Sequence, residues 1–326
     1  MIAVVGRRAA TAVLVLVLTS VLVHGLVSAQ GDPLASLRQR DPPVAAEVIE
    51  QRRRELGLDR PAPERYLAWL GSALQGDLGE DLQGRPVAPR VGRHLLVTLR
   101  LVVAAVTLAL VAAVVAGTYS AARQHSVADH LITVASFVML STPAFWLATL
   151  LKEHVALPVN RALGFPAIST VGSQTPNLAG GWWTGLADQL GHLVLPALAL
   201  ALVLFASWSR FQRSAVLDVL AADHVRLARA TGTGGRRVLV HHVVRNSLAP
   251  LTSVVAVDLS VVVGGAVLVE KVFAWRGMGT LLVEGVSGRD PNLVLGWLMV
   301  SGVVVVAASL VADVLYAVID PRVRRG

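Results

Sequence analysis

The chain contains no cysteine among its 326 residues, which excludes disulfides, thiolate metal sites and cysteine-ligated haem. Lysine is almost as scarce. Lys152 and Lys271 are the only two, neither follows a glycine, and the Gly-x-x-x-x-Gly-Lys-Ser/Thr pattern that cradles nucleotide phosphates is therefore missing. Gly232-Thr233-Gly234-Gly235 does not substitute for it, because that run has no lysine and no strand before it; it reads as a helix break. The nine histidines are scattered, adjacent only at His241-His242, so no metal site is expected and no cofactor is expected on this chain. The short alternating segments of a β-barrel are missing, and no internal repeat is present.

What the chain has in quantity is apolar sequence. At 54% hydrophobic residues and a mean hydropathy of +0.63, with several apolar runs near 20 residues, it reads as an all-α integral membrane protein. Six spans are expected, at about 9–28, 95–118, 131–151, 192–209, 248–269 and 293–318, each near the ~20 residues that a bilayer requires. The first, with Arg7-Arg8 before it and Val27-Ser28-Ala29 after it, imitates a signal peptide. It is longer than an ordinary signal core and is followed by further spans, so it is expected to be retained.

Basic residues orient the chain. The segment 210–247 holds seven arginines against two aspartates, and Arg322, Arg324 and Arg325 follow the last span; with Arg7-Arg8 they place both termini in the cytoplasm. Residues 29–94 carry ten arginines but also ten acids, and long loops escape this bias. The net charge of +8 thus sits beside spans, where anionic headgroups and a protein partner account for it better than nucleic acid does.

The most specific stretch is Ala222 to Pro250, between the fourth and fifth spans. Asp223-His224-Val225-Arg226-Leu227-Ala228-Arg229-Ala230-Thr231-Gly232 is a short helical pattern with a glycine stop, and Leu220, Val225 and Ala228 form its apolar stripe. A second helical run begins near Arg236 and carries His241, His242, Arg245 and Asn246 to Leu248-Ala249-Pro250. Two short helices joined at a glycine make a compact knob suited to docking a partner.

This pattern resembles the cytoplasmic coupling loop of ABC importer permeases, in detail the dipeptide/oligopeptide branch. That branch reads Asp-Tyr-Val-Arg-Thr-Ala-Arg-Ala-Lys-Gly and then His-x-x-x-Arg-Asn-x-Leu-x-Pro. Asp223, Val225, Arg226, Ala228, Arg229, Ala230, Gly232, His241, Arg245, Asn246, Leu248 and Pro250 match it, while His224, Leu227 and Thr231 depart from it. The resemblance implies that Asp223, Val225, Arg226, Ala228, Arg229, Gly232, Arg245 and Asn246 couple the chain to an ATPase.

The segment 29–94 also resembles that branch, in Gly31-Asp32-Pro33, Leu56-Gly57-Leu58-Asp59-Arg60-Pro61, Tyr66 with Trp69-Leu70, and Gly76-Asp77-Leu78-Gly79. Asp81 stands where the family has Ser, and Arg100 where it has Glu. Within the segment, helices are expected from Val44 to Leu56 and around Tyr66–Leu70, the aromatics of the second suiting a membrane interface.

Candidate pathway residues follow from the cost of polarity and proline inside a bilayer. Ser141-Thr142-Pro143-Ala144-Phe145-Trp146 is similar to the family's Ser-Ile-Pro-x-Phe-Trp, and Pro143 kinks the third span while Ser141 and Thr142 compensate the freed carbonyls. The kink serves either packing or a pathway hinge. Lys152-Glu153-His154 either ends that span early or snorkels to the interface. Asp258 and Asp313 are carboxylates within spans, so each needs a partner or water; for Asp258 an interhelical hydrogen bond competes with a substrate contact.

Val269-Glu270-Lys271-Val272-Phe273-Ala274-Trp275-Arg276-Gly277-Met278-Gly279 resembles the family's Val-Glu-x-Val-Phe-x-x-Pro-Gly-x-Gly. That resemblance implies a binding-protein surface or outer gate at Glu270, Phe273, Trp275 and Gly277, against which stands an interfacial turn anchored by Phe273 and Trp275.

Taken over the whole chain, the resemblance implies a type I ABC importer permease fold. Residues 1–28 would form the cytoplasmic stub and first helix, 29–94 an extracytoplasmic segment, and 95–326 a five-helix core containing the coupling loop 210–247. The implied partners are a paralogous permease subunit, two ATPase domains that carry ATP and Mg, an extracytoplasmic peptide-binding protein and membrane lipid. Two alternatives remain at this level. One is a proton-coupled secondary transporter using the aspartates; the other is the same scaffold importing nickel, haem or glutathione.

Overall fold

The computed structural model describes residues 2–29, 31, 33–34, 45–55 and 57–319. Among them the regular structure is helical, broken only by an isolated antiparallel bridge between Glu80 and Pro86. Asp32, Val44, Leu56 and the arginines of the tail fall outside the described residues, and so do the side chains of Arg7, Arg8 and Asp313.

Five of the six expected spans lie each within one helix, α1 Ile2–Ala29, α4 Val87–Ala122, α8 Trp182–Leu220, α11 Arg245–Val272 and, after α12 Met278–Ser287, α13 Pro291–Ile319, while the third is divided between α5 Val127–Ser141 and the run that begins with α6 Ala144–Leu150. Among the described residues four helices are long and apolar enough to cross a membrane, with mean hydropathies of 2.2 to 2.6, and a fifth if one bent pair is a single span. Between the first two spans lie α2 Ala46–Glu55 and α3 Ala62–Ala73.

The kink expected at Pro143 is a sharp bend. Val127–Ser141 and Ala144–Leu163 are inclined by 110°. The cause is local. Pro143 has no N–H, and it forces Thr142 before it into extended backbone at φ −102°, ψ 124°. As expected, the hydroxyls compensate: Ser141 Oγ donates to the Phe137 carbonyl at 2.8 Å and Thr142 Oγ1 to that of Val138 at 2.7 Å. Ser126 caps the start of α5 by accepting the Asp129 N–H at 3.2 Å. Beyond α6 the chain continues through a π-helical turn, Leu151–Ala156, into α7 Leu157–Leu163. Lys152 lies in that turn, and its Nζ donates to the Val272 carbonyl at 3.3 Å, at the C-terminal end of α11.

By packing, the chain divides into two compact units, Met1–Thr98 with Arg276–Val306, and Leu99–Trp275 with Ala307–Gly326. In the first unit the core joins Tyr66, Trp69, Leu78, Val87 and Val91 to Met278, Leu281, Leu293 and Leu295. Tyr66 and Trp69 are therefore buried within the protein. The Tyr66 hydroxyl lies 2.8 Å from Ser20 Oγ on α1, and Trp69 Nε1 donates to the Leu78 carbonyl at 3.2 Å. Burying two large aromatics against α1 and Leu78 is favourable once both polar tips have partners.

In the second unit α8 is the organising element, packed along α5, α6 and α11. A Cβ built on Gly117 of α4 would lie 2.6 Å from the Ser209 carbonyl on α8, so only glycine permits that approach.

Candidate docking surface and intramembrane polar groups

The Ala222–Pro250 segment folds as its pattern requires. Helix α9, Asp223–Ala230, is followed by Thr231 and by Gly232 at φ 81°. The Gly232 N–H bonds the Arg229 carbonyl at 3.0 Å and the Thr233 N–H bonds that of Ala228 at 3.1 Å. This pair of bonds is a Schellman stop, and its left-handed residue carries little penalty only as glycine. The chain then re-enters a helix at α10 Gly235–Arg237, passes through a π-helical turn, Val238–Val244, and runs directly into α11.

The inner face of this knob is apolar and fixed. Val225, Val238 and Val243 are buried with Ala121 and Val216, and Leu220 and Ala228 pack against them. The outer face is free. Asp223 and Arg226 have side chains 99% and 71% exposed and stand 3.7 Å apart; Leu227, Arg229, Gly232 and Arg245 are also exposed. Val225 is thus an anchor under the surface rather than part of it. Asn246 clasps the knob internally, donating to His224 Nε2 at 3.3 Å and to the His242 carbonyl at 2.7 Å.

A polar layer that the sequence does not announce lies beside this knob. Asp129 accepts from Arg213 Nε at 2.8 Å and Nη2 at 2.9 Å, and also from the Ser120 hydroxyl. Gln212, fully buried, donates to Ser247 Oγ at 2.9 Å and Thr118 Oγ1 at 3.3 Å. These bonds tie α4, α5 and α11 to α8. The capping spacing Ser126-x-x-Asp129 was a visible signal for one member; its arginine, 84 residues away, had none.

The remaining candidates are dispersed. Ser141 and Pro143 are exposed at the bend. Asp258 accepts from Trp208 Nε1 at 2.7 Å, an interhelical bond between α11 and α8 that gives the carboxylate the partner its position requires. Glu270, Phe273 and Trp275 are buried, contrary to an outward-facing surface; the Phe273 carbonyl accepts the Gly172 N–H at 2.7 Å, and the Trp275 N–H bonds the Glu270 carbonyl at 2.7 Å. Gly277 is buried, and its carbonyl lies 3.1 Å from His94 Nδ1.

Asp81, noted from sequence only as a departure, is the centre of the first unit's polar network. It has no exposed side-chain surface, accepts Gln83 and Arg85 N–H groups at 2.9 and 2.8 Å, and pairs with Arg85 Nε and with Arg90. Arg90 Nη2 also forks onto Glu284 at 2.8 and 2.9 Å. Burial pushes the Asp81 carboxyl up, but hydrogen bonds from Arg85 and Gln83 and the Arg85 charge outweigh it and hold its pKa below the ordinary value. Asp290 nearby accepts the Leu82 N–H at 2.7 Å and the Leu293 N–H at 3.0 Å. Here burial prevails, and the carboxyl is raised.

Comparison with known proteins agrees with this architecture. The family described as binding-protein-dependent transport system inner membrane component matches residues 113–325. Over 319 residues the chain is 43% identical to the oligopeptide transport system permease protein OppB of Mycobacterium tuberculosis (strain ATCC 25618 / H37Rv), covering 98% of each chain. It is 38% identical over 299 residues to the oligopeptide transport system permease protein AppB of Bacillus subtilis (strain 168), covering 91% of this chain and 90% of the relative. With the di/tripeptide transport system permease protein DppB of Pseudomonas aeruginosa (strain UCBPP-PA14) it shares 33% identity over 313 residues, covering 90% of each.

Proposed function

Since the chain belongs to the family of binding-protein-dependent transport system inner membrane components, we propose that it is the permease subunit of an ATP-driven importer of peptides. It supplies half of the pathway and carries no catalytic centre. The carrying observation is the knob at 222–250: an exposed Asp223–Arg226–Arg229 face, ended by a Schellman glycine and seated on buried Val225, Val238 and Val243. Such a surface transmits force because its outer side can grip a partner while its inner side is packed against α8. The named substrates of OppB, AppB and DppB support peptides as cargo.

In this proposal six spans cross the inner membrane with both termini in the cytoplasm. A paralogous permease completes the pathway, two ATPase domains holding ATP and Mg grip the knobs, and an extracytoplasmic binding protein delivers peptide. ATP binding closes the ATPases, the knobs follow, and the two halves rock between inward-open and outward-open states. A proton relay through Asp258 is not favoured, because that carboxylate is engaged by the Trp208 indole.

The test is affinity purification of the intact chain in mild detergent beside a Gly232→Pro, Arg226→Glu variant, with bound proteins identified and ATPase activity assayed. Co-purifying ATPases that are lost or uncoupled in the variant support the proposal. If no ATPase accompanies the wild type and the variant behaves identically, the proposal fails.

A further inference from the structure

The first unit contains a cavity of about 320 Å³ lined in part by His24, Arg54, Arg60, Arg65, Asp77 and Asp290. That volume is within the roughly 300–1,000 Å³ of small-molecule sites. Its chemistry is two-signed. Among the described residues the exposed Arg60 guanidinium has no hydrogen-bond or ion-pair partner, the Arg65 guanidinium has only the Ser28 hydroxyl at 3.3 Å, and that of Arg54 only Glu50 at 3.7 Å. Asp77 uses one oxygen, Oδ1, on the Gly79 N–H at 2.9 Å.

Two buried polar groups line the cavity. His24, on α1, is 7% exposed, and its Nε2 lies 3.0 Å from the Ala62 carbonyl, so that nitrogen carries the proton. Its Nδ1 is buried with no partner among the described residues, whereas buried polar side-chain atoms are ordinarily hydrogen-bonded. Asp290 is 4% exposed, and burial pushes its carboxyl up; a cation beside it would relieve that cost.

We propose that this cavity is a direct binding site for the charged termini of a short peptide, the α-carboxylate taken by Arg54, Arg60 and Arg65, and the α-ammonium by Asp77, Asp290 and His24 Nδ1. The chemistry required is a zwitterion with an N–H donor, which free peptide and a phosphatidylethanolamine headgroup share. The choice of peptide rests on the importer proposal. The permease would then hold a peptide itself, ahead of the pathway, in addition to whatever a binding protein supplies.

The experiment measures binding of trialanine to the purified full-length chain in phosphatidylcholine nanodiscs, without binding protein or ATPase, by isothermal titration calorimetry. Trialanine is expected to bind, while N-acetyl-trialanine amide does not. Arg60→Glu, an exposed change that does not touch the core, should weaken trialanine about tenfold, the loss of one charge-assisted hydrogen bond. Asp77→Asn, which keeps the Gly79 bond, should weaken trialanine but leave N-acetyl-trialanine unchanged, a distinction that a merely structural role would not produce. Equal affinity for free and doubly capped peptide, or no effect of either variant, overturns the site. Occupancy by phosphatidylethanolamine in nanodiscs containing it, with no peptide binding in either lipid, also overturns it and assigns the cavity to a headgroup. Peptide uptake by the whole assembly in proteoliposomes is measured in parallel. Uptake without binding to the isolated chain defeats the cavity proposal alone, whereas no uptake of any peptide defeats the importer proposal on which it rests.

Discussion

Two regions of this chain use the same residue types to opposite ends. Around Asp81, aspartate and arginine are buried and multiply bonded, Arg90 reaching both Asp81 and a glutamate 194 residues away. On α9 Asp223 and Arg226 are exposed, one turn apart and 3.7 Å from each other, a separation at which a pair contributes little to stability. The first arrangement holds a loop in place. The second leaves its charges available to another protein, and burial alone distinguishes them.

That comparison can be broken most forcefully at the buried end. Asp81→Ala deprives Arg90 of a buried partner and the Gln83 and Arg85 N–H groups of their acceptor, and should cost on the order of 3–5 kcal/mol. Hydrogen exchange at residues 77–90 is expected to accelerate sharply, and protection equal to wild type would contradict the account. Gly117→Ala pushes a methyl into the Ser209 carbonyl on α8 and should cost about 1–3 kcal/mol, read as a lower melting temperature in detergent; an unchanged melting curve would show that the helices can part freely. Arg226→Glu, by contrast, should leave the melting temperature unchanged while transport is lost, and a stability loss there would erase the distinction between the two regions.

A smaller effect separates the two buried carboxylates. Asp81, with its pKa lowered by folding, contributes stability that is complete above its unfolded value of 3.8 and is lost as pH falls through the folded value. Asp290 runs the other way. Its pKa is raised, so protonation adds stability as pH falls from neutral through that folded value. Protection of the 77–90 loop should therefore rise slightly on mild acidification and then collapse, and the rise should be absent from Asp290→Asn. Least of all is expected of Asp258→Asn, whose amide oxygen can still accept from Trp208; transport near wild type is predicted, and its abolition would revive a proton relay.

Much of the site was legible because its signals are local. The Schellman stop at Gly232 was readable from an apolar stripe ending in glycine, since a left-handed backbone selects that residue. The hydroxyl compensation before Pro143 was readable because a missing N–H and its neighbours lie within one turn. The degree of bending was not, for 110° depends on what packs against both halves. The burial of Phe273 and Trp275 was not legible, because aromatic residues beside a turn suit a surface, a gate, an interfacial turn or a core until the neighbouring elements are known.

The sequence by itself determined membrane residence, helical class, the positions of the apolar segments and the knob at 222–250, all of which follow from hydropathy and short-range backbone chemistry. Only the tertiary structure decided which charges are structural. Pairing Asp81 and Arg90 with Glu284, Asp129 with Arg213, and Asp258 with Trp208 joins residues 9 to 194 positions apart, and no periodicity records such distances. A charge in a sequence carries its cost of burial only once the fold has chosen its neighbours.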